Sequence, residues 1–371
     1  MYFKSLLSLL LLCTSTYSET LDNLTAQQNV AVSSELNWLS MYMDELEQYL
    51  SKKVLVVSSN IDHLFYEDKD INIAQESNNT VALICENDNR KCPLDTGKEV
   101  FLVSTGFSDF FKDETYLDVT NRSYVKLHGG YEYNERGDSN IFHGVTARLR
   151  LPKTEKKLQL FIGGESDNIK GLNNTAYQDS GVGLKYYMNS LYQGLFTRAS
   201  IGISGITNPY VKTNVEYPLY FENWLLRPVQ TFKYSARDKF DELTNVYIDR
   251  KISHTEMVRL LLERSTNSEI KGMNYLSQIS YFNTYREDIS CSYYIGMNGR
   301  TKDLIDTSYI NNLHPQEGIY DYSAGIAWRQ RLWKDYVFFQ MDPLVSFHEQ
   351  YNYKPNYIFR IGVDIYFGNN K

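Results

Sequence analysis

The chain has 371 residues, a formal net charge of −7 and 22% charged residues, with a mean hydropathy of −0.43. That length accommodates two units rather than one compact domain, and an acidic chain whose basic residues are scattered rather than clustered excludes a nucleic-acid surface. Against this hydrophilic average stand 31 tyrosines: an oily ring with a wet hydroxyl suits strands that meet both an apolar and an aqueous phase, although an AT-biased genome also raises Tyr, Asn, Ile and Lys.

The first segment, MYFKSLLSLLLLCTSTYSET, carries Lys4, an apolar run from Leu6 to Leu12 and then small residues. This predicts a secretory signal peptide over residues 1–18, cleaved after Ser18. Cys13 is preceded by Leu12, where lipoprotein processing wants a small residue. No later stretch approaches the roughly 18 apolar residues that a membrane-spanning helix needs, which excludes a helical membrane protein.

Residues 19–120 read as a small N-terminal α/β region. SSELNWLSMYMDELEQYLSKK predicts a helix over about 34–52, opened by Ser33 or Ser34 as N-cap. Its Leu36, Leu39, Met43, Leu46 and Leu50 form one apolar seam, the pattern of a docking face. VLVV (54–57), TVALIC (80–85) and EVFLVS (99–104) read as short buried strands, and ESNNT (76–80) as a loop that resembles an acidic glycosylation sequon. Cys85 and Cys92 bracket ENDNRK, a spacing that permits a local disulfide in an exported protein. No His or further Cys stands near them, so no metal site and no cofactor are expected. Cys291 sits in a strand pattern and reads as a small apolar residue.

From residue 121 to 371 the texture is period-two alternation. In RSYVKLHGGYEY, Val125, Leu127, Tyr131 and Tyr133 share one face, while Tyr124, Lys126, His128 and Glu132 share the other. In HGVTARLRLP, Val145, Ala147, Leu149 and Leu151 oppose Thr146, Arg148 and Arg150. Such runs recur to the terminus, about fourteen of them at roughly ten residues each, the length a tilted strand needs to cross a bilayer. Twelve remain if two weak runs, such as PYVKTNVEY, do not span, and Pro218, Pro228 and Pro343 weaken the runs they touch. The apolar faces carry aromatics near their ends: Tyr133, Tyr186, Tyr320, Trp328, Phe347, Tyr357 and Phe367. The opposite faces are charged, through Lys126, Arg148, Arg150, Lys185, Arg198, Lys233, Arg259, Arg329 and Arg360 and through Glu132, Glu165, Asp249, Glu263, Asp342 and Asp364. A soluble barrel would fill its centre with hydrocarbon. This pattern is inverted, and predicts an all-β, antiparallel up-and-down transmembrane barrel. In lipid an unpaired strand edge leaves N–H and C=O groups without partners, so the last strand, PNYIFRIGVDIYF, must close on the first, near Ser123 to Tyr133.

Arg360-x-Gly362-x-x-Ile365-x-Phe367 resembles the terminal assembly signal of Gram-negative outer-membrane β-barrels, although the chain continues past the aromatic with GNNK. The resemblance runs from the early 120s to Phe367. It implies outer-membrane localisation, delivery through the periplasm, insertion by the barrel assembly machinery, and a surrounding of outer-membrane lipid and lipopolysaccharide. It resembles an uncharacterised, porin-like group and so implies no substrate. If the chain enters from the periplasm, KTEKK, NS (189–190), SHT (253–255) and LWKD become short periplasmic turns, and ESDNIKGLNNTAYQDS and RTKDLIDTSYINNLHPQEG longer outer loops.

Three functions are compatible with this pattern. A channel for small polar or charged solutes would be lined by Lys126, His128, Glu132, Arg148, Arg150, Lys185, Arg198, Arg259, Glu263, Arg329, Asp342, Arg360 and Asp364, with the cations of the first five strands facing acids across a wet lumen. A closed structural or adhesion barrel would pair those charges with one another. A lipid-modifying enzyme would need a base oriented by a third group. His128 and His348 are the nearest candidates, Ser346 shares a face with His348 but Glu349 does not, and no catalytic motif surrounds either. The N-terminal region either plugs the barrel or lies in the periplasm.

Overall fold

The computed structural model describes residues 28–65, 123–151, 158–163, 181–188, 195–205, 207–268, 272–286, 288–301 and 317–368. The signal peptide, the Cys85–Cys92 pair, the strands expected at 80–85 and 99–104, and most of both long loops lie outside these residues.

One helix, α1, spans Gln28–Phe65. The sequence predicts a shorter one, capped at Ser33 or Ser34 and followed by a strand at 54–57. Nothing in QNVAVSSELNWLSMYMDELEQYLSKKVLVVSSNIDHLF is Gly or Pro. Once a helix has nucleated, each added residue gains a hydrogen bond, so Val54, Val56 and Val57 continue it despite their β-branching. Leu55, Val56 and Val57 are exposed rather than buried. The less exposed positions, including Met43, Leu46, Leu50, Val54, Ser58 and Ile61, recur every three or four residues along one face. The chain divides into two units at Leu50, inside this helix.

The strands are β1 (Tyr124–Asn134), β2 (Asn140–Leu151), β3 (Leu158–Gly163), β4 (Gly181–Met188), β5 (Phe196–Ser204), β6 (Asn208–Glu216), β7 (Leu219–Phe221), β8 (Trp224–Ser235), β9 (Lys239–Lys251), β10 (Glu256–Asn267), β11 (Asn274–Arg286), β12 (Ile289–Arg300), β13 (Gly318–Arg331), β14 (Val337–His348) and β15 (Asn356–Gly368). Apart from β6 and β7, each pairs antiparallel with its neighbour in sequence, and β1 pairs with β15 from Tyr124↔Gly368 to Asn134↔Ile358. β6 and β7 both pair with β8 in one register, Glu216↔Val229 and Leu219↔Leu226, so they are two pieces of one strand interrupted at Pro218. The fifteen segments therefore make a closed barrel of fourteen strands. PYVKTNVEY is a full member of it. Pro343 has a local effect: β13 and β14 pair at Gly325↔Leu344 and Trp328↔Met341 but not between, because proline brings no N–H to the ladder.

Closure leaves two ends. Ser123, Gly368 and the short connections 152–157, 189–195, 222–223, 252–255, 287–288 and 332–336 share one, here the terminal end. The long connections 164–180 and 301–317 share the other, the loop end. This is the asymmetry the sequence predicts.

Faces alternate as predicted. Val145 is 50% exposed, Ile201 60% and Val211 53%, while Asp249, between half-buried Ile248 and exposed Arg250, is fully buried. The outward belt is aliphatic at mid-height, through Ile201, Ile279 and Ile295, and aromatic at both margins. Tyr186, Phe196, Phe221, Trp224, Tyr285 and Trp333 are exposed toward the terminal end, and Tyr131, Tyr133, Tyr234, Phe240, Tyr322 and Tyr357 toward the loop end. Three details depart from expectation. Ala147, Leu149 and Leu151 are buried although Val145 in the same row is exposed, and Phe367 is buried as well. Tyr320 leaves the outer margin because a bulge lies between Asn298 and Gly299, which pair with Asp321 and Ile319 and leave Tyr320 over. Its ring packs instead against the inward Arg300, 4.0 Å from the guanidinium carbon.

Candidate functional site

The inward face is built of charged and aromatic side chains rather than hydrocarbon alone. At the terminal end Arg148, Lys185, Arg198, Arg227, Arg259 and Arg329 are all at least nine-tenths buried. Three carboxylates stand among them, and each is bound within the wall. Asp249 and Arg259 are directly opposed on β9 and β10 and bond through both carboxylate oxygens, at 2.6 and 2.7 Å. Glu216 accepts from Arg198 at 2.8 Å and lies 3.7 Å from Arg227. Asp364 accepts from the Gln340 amide at 2.6 Å and lies 3.4 Å from Arg329. The cations also lie on rings: Arg227 is 4.4 Å from the Tyr247 centroid and Arg329 is 4.6 Å from Phe338. Such stacking holds a guanidinium flat while leaving its N–H edge free to bond.

At mid-height Arg360 joins Glu132 and lies 3.6 Å from Asp342, whose other oxygen accepts from the Tyr294 hydroxyl at 2.7 Å. At the loop end Arg300 bonds Glu349 at 2.8 Å, and Asp321 accepts from Ser346 at 2.6 Å.

The structure thus brings together Glu132, Asp342 and Arg360 as one set and Arg329 with Asp364 as another. Arg198 is bound to Glu216, which the sequence reading does not single out, and Arg259 to Asp249, which it places on the charged inward face. Lys126 and Glu263 share the inward face with no ion pair among the described residues. Arg150 lies in β2, opposite Gln159, and its side chain is outside the described residues. Glu216, Asp249 and Asp364 are bound to cations on their own part of the wall, a local pairing rather than the field across the lumen that the sequence suggests. Adjacent strands in register stand closer than opposite walls, so a carboxylate meets its neighbour first.

Arg227, Glu216, Arg300, Asp321 and Glu349 also line the inward face and are absent from the sequence-based set. Parity alone would have found two of them: Arg227 shares a face with Lys233, and Glu216 with Lys212. A second feature depends on register and leaves no sequence signal. Inward rings lie across glycines of the next strand, with Phe161 over Gly183, Phe142 over Gly130, Tyr210 over Gly202 and Tyr294 over Gly325. His128 lies over Gly144 in the same way. Its place is a packing joint. His348 accepts from the Gln350 N–H at 3.0 Å and caps a short 3-10 turn, while the Ser346 hydroxyl is given to Asp321. The Ser346–His348 pair is therefore not a nucleophile and its base. Among the described residues no cluster of three metal-binding side chains occurs, and no helix is long and apolar enough to cross a membrane, which says nothing of the strands. Cys291 is a free, buried thiol.

No family model matches the chain, and no curated protein matches it in sequence. Among solved structures, OmpT of Vibrio cholerae lacking loop L8, an outer membrane protein, is 8% identical with a TM-score of 0.42, over 66% of this chain and 98% of that one. The outer membrane channel DcaP of Acinetobacter baumannii is 8% identical with a TM-score of 0.42, over 66% and 96%. A KdgM porin in complex with disordered oligogalacturonate is 9% identical with a TM-score of 0.32, over 65% and 98%. Likeness this slight says nothing of what the chain does, and the functional reading rests on the barrel's own geometry.

Proposed function

We propose that the chain is an outer-membrane β-barrel that forms a channel for small polar or charged solutes. The observation that carries the reading is the inverted polarity of a closed barrel. Ion pairs and guanidinium stacks line the inward face, while the outward face is an aliphatic belt between two aromatic margins. The Arg360–Phe367 pattern, acting as an assembly signal, fits insertion by the barrel assembly machinery, with the terminal end toward the periplasm and the outward belt in lipid and lipopolysaccharide. Around fourteen strands, a barrel has room for water unless something fills it. Among the buried inward groups of the terminal end, cations outnumber acids, so anions are the favoured solutes.

One observation favours a second reading, a closed structural barrel: the acids at Glu216, Asp249 and Asp364 already hold partners in the wall. Conductance of the purified chain in planar bilayers separates the two. A channel gives ion current, with a reversal potential in a KCl gradient that favours chloride and that Lys126→Glu moves toward potassium. No current, even after removal of residues 19–115, refutes the channel and leaves the closed barrel.

A further inference from the structure

We propose that the outward face of β8–β11 carries a binding site for one phospholipid of the leaflet at the terminal end, its phosphate held by Arg250. A groove of about 510 Å³ is lined by Trp224, Ile248, Arg250, Ile252, Val258, Leu260 and Ile279. Register orders these residues by depth. Ile252 lies at the rim, one row in stand Trp224, Arg250 and Val258 side by side, and beyond them toward mid-height stand Ile248, Leu260 and Ile279. The groove is therefore cationic near the rim and purely aliphatic toward the middle of the belt, the polarity of a phospholipid entering from that side.

Arg250 is the reason to name an anion. It is exposed on the oily face, where a charge is costly at mid-height and tolerated only near an interface. Its guanidinium lies 5.0 Å from the Trp224 ring centroid and makes no hydrogen bond or ion pair among the described residues. The ring covers one face of the ion and leaves the N–H edge open, the edge that binds a phosphate with two parallel hydrogen bonds. Glu256 stands one row closer to the rim on the same face, and its carboxylate accepts from the Tyr281 hydroxyl at 2.5 Å. Asp249 and Lys251, the chain neighbours of Arg250, alternate to the inward face. The site needs the barrel to span a membrane but not to conduct, so a failure in conductance leaves it standing.

The test is native mass spectrometry of the purified full chain in detergent, titrated with phosphatidylglycerol, with a neutral diacylglycerol or with lipopolysaccharide. Expected is one phosphatidylglycerol per chain, bound at least tenfold more tightly than diacylglycerol. Arg250→Gln loses that preference, and Ile248→Trp, which fills the groove and keeps the charge, weakens both lipids. Retention of the heat-modifiable barrel band on gels checks that each variant is folded. Equal phosphatidylglycerol binding by the parent and both folded variants overturns the proposal. So does tighter binding of lipopolysaccharide, or a lipid-free dimer cross-linked through Trp224, which makes the groove a contact between copies.

Discussion

Asp249 and Arg259 show what the inward face demands of a single residue. Both are buried, at 0% and 3% exposure, and they bond each other through both carboxylate oxygens. Removing one partner strands a charge inside the wall, which typically costs about 3–5 kcal/mol, whereas replacing both by hydrocarbon of similar volume is often neutral. Asp249→Ala is therefore expected to lower the urea midpoint of the folded barrel sharply. Asp249→Leu combined with Arg259→Met is expected to return close to the parent, and equal loss in both variants would contradict the pairing. Asp238, in the turn after β8, illustrates the opposite regime. Its carboxylate is held below the usual range, chiefly by the Arg237 side chain at 2.9 Å and further by Asn208 and Ser235. A carboxyl whose folded value is depressed contributes stability that is present above its unfolded value, about 3.9, and lost as pH falls through the folded one. The turn is expected to be unaffected between neutrality and pH 5 and to loosen only in stronger acid. Amide exchange at Arg237 and Asp238 would report this, and Asp238→Asn should abolish the pH dependence.

Among the elements, the seam between β1 and β15 matters most, because it turns a sheet into a barrel. Gly130 sits there opposite Gly362 and Phe142. A Cβ at Gly130 would lie 2.1 Å from the Ile361 carbonyl oxygen and 2.5 Å from the Phe142 ring. The ring is the far end of a side chain that can turn, whereas the carbonyl oxygen belongs to the backbone of the β1–β15 ladder. Gly130→Ala is accordingly expected to reduce the yield of heat-modifiable barrel, and Phe142→Ala in the same chain is expected not to rescue it. Full rescue would place the constraint in the ring instead. Glycines under rings elsewhere on the wall follow the same logic: the aromatic covers a strand that has no side chain of its own and pins its register. The bulge at Asn298 and Gly299 acts oppositely, delivering Tyr320 to the inner wall beside Arg300.

For the whole molecule, the decisive property is which side is oily. Ile201, at the middle of β5, is 60% exposed. On the surface of a soluble barrel Ile201→Arg would be nearly neutral. In a bilayer the same change is expected to cost about 2–4 kcal/mol, falling toward zero at the margins. Unfolding titrations in lipid vesicles, with Ile201→Arg compared with Tyr217→Arg near the terminal margin, measure this directly. Equal and negligible effects at both positions would refute membrane insertion.

Much of this architecture was legible in the chain itself. Period-two alternation is a local property of a pleated strand, so the face taken by Lys126, Arg148 or Val145 follows from parity, and closure of RIGVDIYF onto YVKLHGGYEY follows from the need to satisfy backbone groups. The helix runs beyond the span its sequence pattern predicts because its end is set by cooperative propagation rather than by a Gly or Pro stop signal, and none stands before Tyr66. What the tertiary structure alone decided are matters of register: which acid Arg259 meets, which glycine lies under Phe161, where a bulge turns Tyr320 inward, and that Trp224, Arg250 and Val258, from three different strands, stand in one row. Register between strands is fixed by the fit of the whole closed ring, and no single strand contains it.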